Sequence, residues 1–278
     1  KEIRQKLEDW KEKFKSSPGK TKVVKHHIYI EKGTPPIKQR YYNVNPATQA
    51  ILHEQLKELV DRGLVRESRS PWSSPVLLTK KKNNEPRMVI DYRKVNHVSR
   101  KDSFPIPHID GILQNLRDAN YISTIDLKSG YHQIEMSEES RPITAFTVPG
   151  AGLYEFNVMP FGLTSAPSTF QYAMNIILRE ALNHGVFVYL DDILITGKTL
   201  EEHNANLEKV LELLYQAGLQ INWKKSYFLE PFVEYLGYTI GQGQIFTSKS
   251  KIGAIQDFAP PKNVKQVRSF LGLTGWYR

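Results

Sequence analysis

The sequence predicts an α+β fold, and three observations carry that reading. Short β-prone runs and amphipathic helical stretches follow one another without regular βαβ alternation. No internal repeat interrupts the chain. Gly and Pro, at 17 and 16 of 278 residues, stand near their ordinary share, while 40% of residues are hydrophobic and 24% charged. That composition excludes a disordered, collagenous or low-complexity chain. A chain of 278 residues buries a sizeable core as one large domain or two modest ones. No run approaches the roughly 18 to 20 apolar residues of a membrane span. The opening KEIRQKLEDWKEKFK is too charged for a secretory signal. A soluble, non-secreted protein without a membrane partner is expected.

Ile3, Leu7, Trp10 and Phe14 recur at helical spacing and predict an amphipathic helix that Ser16 to Gly19 breaks. Gly33 to Asn45, with Pro35 and Pro36, reads as extended connector. Asn45 before Pro46 is a helix start, and Ile51, Leu52, Leu56, Leu59 and Val60 make one apolar face before Gly63. Val76 to Thr79 and Met88 to Asp91 flank a polar tip, Lys80 to Arg87, and predict a hairpin. Pro105 and Pro107 open a short helix carrying Ile109, Ile112, Leu113 and Leu116. Tyr121 to Leu127 reads as a strand, and a second strand is expected from Tyr131. Ser165 to Leu182 reads as a helix with Phe170, Met174, Ile177 and Ala181 on one side. Val186 to Tyr189 and Ile193 to Ile195 are buried strands around Asp191 and Asp192. Thr199 with Glu202 forms a capping box for a helix burying Leu207, Val210, Leu211 and Leu214 before Gly218. One final strand, Phe232 to Ile240, precedes a last helix from Asn263. Because the chain begins with Lys and closes on Trp276-Tyr277-Arg278 without a terminating feature, it is expected to be a segment of something longer.

Lysine and arginine number 38 against 29 acids, a net charge of +9, which is a modest argument for a polyanionic partner such as nucleic acid. Cysteine is absent, so disulfides, thiolate metal sites and cysteine nucleophiles are excluded, and a metal must sit on carboxylates or histidines. Of the eight histidines only His26-His27 are adjacent, and neither has a second ligand at zinc spacing.

The strongest feature is Val186-Phe187-Val188-Tyr189-Leu190-Asp191-Asp192-Ile193-Leu194-Ile195. Two carboxylates inside an apolar, β-prone run need compensation, because burying unpaired charge costs roughly several kcal/mol. Two readings are open: a tight hairpin turn, although Asp-Asp lacks the Gly that favoured two-residue turns use, and a divalent metal site. Asp126 ends a second apolar run, Tyr121 to Leu127. Three carboxylates without cysteine suit Mg²⁺, and oxygen-ligated paired metals are the recurring device for in-line displacement at phosphorus. Phosphoryl transfer is the leading chemistry.

Tyr189-Leu190-Asp191-Asp192, with Ser123-Thr124-Ile125-Asp126-Leu127-Lys128-Ser129-Gly130-Tyr131 upstream and Met159-Pro160-Phe161-Gly162-Leu163-Thr164-Ser165-Ala166-Pro167 between them, resembles a reverse transcriptase. Trp72-Ser73-Ser74-Pro75, Arg87-Met88-Val89-Ile90-Asp91-Tyr92-Arg93, Tyr235-Leu236-Gly237-Tyr238 and Phe270-Leu271-Gly272-Leu273 match as well, in wording closest to gypsy-type long-terminal-repeat retrotransposons. The similarity runs from about Gly33 to the end.

The resemblance implies a right-hand polymerase fold with fingers and palm and only the start of the thumb. Residues 1–44 would be an N-terminal helix and connector, 45–240 fingers and palm, and 241–278 the start of the thumb. Asp126, Asp191 and Asp192 would bind two Mg²⁺ ions, with Mn²⁺ as a substitute, and the Leu127 carbonyl would help. Lys81 and Arg87 would hold the incoming triphosphate, with Lys80 and Lys82 as general phosphate attraction; the alternative is that these lysines keep a hairpin edge soluble. Lys225 aligns with a lysine proposed to protonate pyrophosphate, or is a surface lysine. Tyr131 would exclude a 2′ hydroxyl beneath the sugar, or is core. Phe161 stands at a nucleotide-binding position where the retroviral pattern has Gln, so any contact of that Gln is not carried over. Tyr235, Leu236, Gly237 and Tyr238 would support the primer end, or are palm core.

The leading function is an RNA-directed DNA polymerase extending a primer with deoxynucleoside triphosphates on RNA or DNA template. The alternatives are a catalytically silent nucleic-acid-binding remnant of a mobile element and a polymerase restricted to DNA templates. Ribonuclease H, integrase and protease domains of the same polyprotein are implied but absent from this segment. Cytoplasmic virus-like particles are the implied location.

Overall fold

Asn45 starts a helix where the sequence places one: its side chain accepts a hydrogen bond of 2.8 Å from the Thr48 backbone N–H, and Pro46 opens α2 (Pro46–Asp61). The structure, a computed structural model, describes residues 2–275 except 82, 102, 103, 106, 115, 117, 118, 243 and 248. Lys82 and Trp276-Tyr277-Arg278, singled out above, lie outside the described residues. The chain divides into two compact units, one of Lys1–Ile106, Leu127–Glu180 and Leu211–Ile221, the other of Pro107–Asp126, Ala181–Val210 and Asn222–Arg278.

In unit 1, α1 (Glu2–Phe14) is followed by β1 (Thr21–His26). The five-stranded sheet runs in the order β2 (Val65–Glu67), β8 (Gly152–Phe156), β7 (Phe146–Val148), β3 (Ser74–Lys80), β4 (Pro86–Ile90). β3 and β4 form the expected hairpin, with Thr79 opposite Arg87. Helix α2 packs on β2, β4 and β7 and buries Leu52 and Leu56, each stabilising the fold by about 1.5–3 kcal/mol. Gln55 on its flank acts as an extra strand edge: its Nε2 donates to the Pro86 carbonyl at 2.9 Å and its Oε1 accepts from the Met88 N–H at 2.7 Å. α3 (Arg93–Val98) follows β4. The second strand expected from Tyr131 is instead a 3₁₀ turn, Gly130–Gln133, ahead of β6 (Ile134–Met136). Ser129, at φ 49°, turns the chain there. The Gln133 amide then holds the turn by donating to the Lys128 and Gln220 carbonyls at 2.8 and 3.0 Å. α5 (Ala166–Ile177) packs on β1 and buries Phe170, Met174 and Ile177; it stops short of Leu182 because Leu178 leaves helical geometry.

Unit 2 is built on a four-stranded antiparallel sheet in the order β11 (Tyr227–Glu230), β5 (Tyr121–Asp126), β10 (Asp192–Gly197), β9 (Val186–Tyr189). α4 (Ile109–Gln114) lays Ile112 and Leu113 into a core with Ile122, Leu194, Val233 and Ile240. α6 (Leu200–Gln216) starts on the expected box, in which Thr199 Oγ1 accepts from the Glu202 N–H at 3.2 Å, and its last turns are counted with unit 1. Its buried Leu207, Val210, Leu211 and Leu214 are those the periodicity names. The single final strand expected over Phe232 to Ile240 is a hairpin: β12 (Val233–Tyr235) pairs with β13 (Tyr238–Gly241), which continues to β14 (Gln244–Thr247). Leu236 and Gly237 both take positive φ, 52° and 82°, as a tight two-residue turn requires. α7 (Lys249–Gln256) and α8 (Val264–Gly275) close the chain. Among the described residues no helix is long and apolar enough to cross a membrane.

Candidate active site

The Asp-Asp run is a hairpin turn that also gathers acids. Asp192 is paired across the strands with Tyr189, which leaves Leu190 and Asp191 as the two turn residues, and Leu190 supplies the positive φ, 55°, that Gly usually provides. On the other side of β10, Asp192 is directly opposite Asp126, so both carboxylates lie on one face of the sheet. Asp191 stands beside them in the turn.

The end of β5 is fixed by the segment that follows α6. The Asp126 N–H donates to Ser226 Oγ at 3.1 Å, and its carbonyl accepts from the Asn222 N–H at 2.8 Å. The Lys225 N–H closes the turn on the Asn222 carbonyl at 3.0 Å. Lys225 is thereby held near Asp126. Behind the strand, buried Ser123 bonds His203 Nε2 at 2.8 Å and accepts from the Leu229 N–H at 3.0 Å, locking β5 to α6 and β11.

The electrostatics record uncompensated negative charge. Asp192 is pushed up to about 6, first by loss of water around its carboxylate and then by the charges of Asp191 and Asp126, although the residue keeps an open edge to solvent. Asp126 is raised by burial and by Asp191, against the opposing pull of Lys225 and an Asn222 hydrogen bond. The buried Tyr235 hydroxyl is raised as well, by burial first and then by Asp192, whose carbonyl lies 3.5 Å away.

Among the described residues no three His, Cys, Asp or Glu side chains stand in ligand geometry around a common point. The donor set nevertheless fits a hard divalent cation: it is all oxygen, and the proton affinities of Asp126 and Asp192 are raised in part by the neighbouring Asp191 charge, which a bound cation reverses. Coordination requires the side chains to draw closer than they stand.

Of the other expected site residues, Lys81, Arg87, Leu127, Tyr131 and Phe161 fall in unit 1. Leu127 is buried and bridges to Ile221. The Arg87 guanidinium lies over the Phe161 ring at 5.0 Å, and that ring stacks on Tyr131 at 5.0 Å and 22°. Tyr131 also packs against Phe170 at 5.3 Å. Lys81 Nζ is bound to Glu85 at 3.1 Å across the hairpin tip, an exposed, solvent-screened pair that an anion can displace. In unit 2, Tyr235 and Tyr238 face each other across the β12–β13 turn; Tyr235 is buried in the core and Tyr238 packs against it. Sequence reasoning missed Asn222, Ser226 and Gln55, whose partners lie far away in the chain and leave no local pattern.

An antiparallel sheet that carries facing carboxylates at one end and a third in the adjoining turn has the arrangement expected of the palm of a right-hand polymerase. Residues 79–240 match the family described as reverse transcriptase (RNA-dependent DNA polymerase), and the chain belongs to that family. It is 41% identical over 263 residues to the retrovirus-related Pol polyprotein from transposon 297 of Drosophila melanogaster, covering 93% of this chain and 25% of that protein. The Pol polyprotein from transposon gypsy of the same organism is 39% identical over 249 residues, covering 87% of this chain and 24% of that one. The chain therefore spans about a quarter of the length of these relatives. Foamy viral protease-reverse transcriptase in complex with dsDNA superimposes with a TM-score of 0.86 at 30% identity, covering 100% of this chain and 59% of that one. The same viral protein in complex with RNA/DNA hybrid gives 0.85 at 29%, covering 100% and 38%. The expected α+β right-hand polymerase fold is thus found, and the family is one that uses divalent metals.

Proposed function

We propose that this chain is an RNA-directed DNA polymerase that extends a primer 3′ end with deoxynucleoside triphosphates on RNA or DNA template. The observation that carries the reading is the facing of Asp126 and Asp192 on adjacent strands with Asp191 in the turn between β9 and β10. Two Mg²⁺ ions, or Mn²⁺ in their place, would be held by Asp126 and Asp191, with Asp192 and the Leu127 carbonyl in support. Bound there, the metals supply Lewis acidity toward the primer hydroxyl and the phosphates. Lys225, held by the Asn222 turn, lowers the proton affinity of Asp126 and can donate a proton to departing pyrophosphate. In unit 1, Arg87 and Lys81 are cations for the triphosphate, with Arg87 oriented by the Phe161 face. Tyr131, backed by Phe161 and Phe170, screens the sugar. Tyr235 to Tyr238 support the primer end. The relatives are retrotransposon polyproteins about four times this length, which supports further domains beside this one; ribonuclease H and integrase are the proposed companions and cytoplasmic virus-like particles the proposed location.

Primer extension on matched RNA and DNA templates tests the reading. Extension on both supports it. Extension on DNA alone restricts the enzyme to DNA templates, and template binding without extension identifies a silent remnant.

A further inference from the structure

Unit 1 carries a groove of about 480 Å³ that the proposed chemistry does not use, with Lys25, Tyr29, Arg100, Lys101, Thr169 and Tyr172 among its walls. Its floor is polar and tied together by hydrogen bonds. Buried His26 bonds Thr169 Oγ1 at 2.8 Å through Nδ1 and Ser165 Oγ at 3.2 Å through Nε2, tying β1 to the start of α5. The rim is pinned too: the Arg100 N–H donates to the Tyr29 carbonyl at 2.7 Å, and the Glu31 N–H donates to the Val98 carbonyl at 2.9 Å.

The groove exposes rings that a folded protein ordinarily covers. Tyr29 is 63% exposed and Tyr172 47%. Tyr29 lies parallel to His27 at 6.0 Å and 15°, and Tyr172 is braced edge-on by Phe104 at 5.3 Å. Three cations surround them. Among the described residues no carboxylate comes within ion-pair distance of Lys25, Arg100 or Lys101, although Glu135 is the register partner of Lys25 on β6. Braced aromatic faces interleaved with cations suit unstacked bases on a phosphate backbone; a duplex hides its base faces and offers the rings nothing to stack on.

We propose that this groove binds a single-stranded polynucleotide segment, with Tyr29 and Tyr172 stacking bases and Lys25, Arg100 and Lys101 contacting phosphates. The assignment of that segment to a strand of the polymerase substrate rests on the function proposed above; the binding itself does not. The strand is either the unpaired template or a displaced non-template strand.

The test measures affinity by fluorescence anisotropy for the 278-residue chain and for Tyr29→Ala, Tyr172→Ala and Arg100→Ala. The probes are a primer–template with a single-nucleotide overhang, the same duplex with a template overhang of about 15 nucleotides, one with a non-template flap of equal length, and a free single strand. The wild-type chain binds the probe carrying the relevant single strand more tightly than the short-overhang duplex. Each ring variant loses about tenfold of that increment. Arg100→Ala reduces the log–log salt slope by about 0.7. Tyr29→Trp, which keeps a stacking face, retains the increment, and affinity for the short-overhang duplex is unchanged throughout. Whichever of overhang and flap gains affinity identifies the strand. Equal losses on all probes, or no loss on any, overturn the proposal. If the wild-type chain fails to extend any primer while the increment and its loss persist, the polymerase reading fails and the groove stands.

Discussion

Asp126 and Asp192 face each other as directly paired residues of β5 and β10, a position in which like charges destabilise an antiparallel sheet. The fold tolerates the pair, and Asp192 responds by holding its proton up to about pH 6, against an ordinary 3.8. A carboxyl with its folded-state pKa raised contributes stability that is fully present below pH 3.8 and is lost as pH rises through 6. At pH 7.5 without metal the charge is therefore a liability. Asp192→Asn is expected to raise Tm by about 2 °C there, a value discounted for the water that still reaches the carboxylate, while reducing extension. Thermal melts at pH 7.5 and 3.5 check this: the gain appears at the first pH and vanishes at the second.

Lys225 pulls the Asp126 pKa down against burial and Asp191. Lys225→Met should move the acid limb of the kcat/KM profile to higher pH, because Asp126 then needs a higher pH to ionise. A role in protonating pyrophosphate adds a fall in kcat across the whole profile. Single-turnover rates from pH 5.5 to 9 separate the two effects.

The histidine of the 3₁₀ turn reports on unit 1. His132 is lowered from 6.5 to about 4, by burial first and then by the cations Arg62 and Arg87, and its Nδ1 has no hydrogen-bond partner among the described residues. Its neutral form belongs to the fold, so the stability it contributes is present above pH 6.5 and is lost as pH falls toward 4, a change of about 3 kcal/mol. His132→Phe should leave stability at pH 7.5 within about 1 kcal/mol and flatten its decline between pH 6.5 and 4. Urea unfolding across that window measures the difference. His26, lowered to about 4 by burial and by His27, accounts for a second proton in the same range.

Much of this was legible locally. The Asn45–Pro46 start, the Thr199 capping box and the 3.6-residue periodicity of α6 are nearest-neighbour effects, and the structure reproduces each of them. The acids were legible because charge in an apolar run is costly wherever it folds. What the pattern could not show is set by backbone sign and by distant partners. Leu236 adopts a conformation disfavoured for a side-chain-bearing residue, so the segment Phe232 to Ile240, which reads as one strand, folds as a hairpin of two. Gln133 converts an expected strand into a turn through carbonyls of Lys128 and Gln220, the second far along the chain. The hairpin and metal readings of Asp191-Asp192, posed as alternatives, are compatible, because Leu190 takes the turn's positive φ in place of glycine.

Tyr131 is stacked on Phe161 and braced by Phe170, so its ring has little freedom to swing aside. A rigid ring discriminates by collision, and each tenfold of selectivity corresponds to about 1.4 kcal/mol of differential barrier. Tyr131→Val is expected to improve ribonucleotide incorporation by about one to two decades while keeping most deoxynucleotide incorporation. The ratio of kcat/KM for the two nucleotide types decides it; an unchanged ratio makes Tyr131 a packing residue.

The central claim is that Asp126, Asp191 and Asp192 form the metal-dependent centre of an RNA-directed DNA polymerase. Single-nucleotide incorporation on an RNA template, measured with Mg²⁺ for the wild-type chain and for Asp191→Asn beside their template–primer affinities, tests it most directly. The account predicts incorporation by the wild-type chain, a loss of at least about a thousandfold in Asp191→Asn, and affinities equal within about threefold. Undiminished incorporation by Asp191→Asn, or none by a wild-type chain that binds the template–primer, would contradict it.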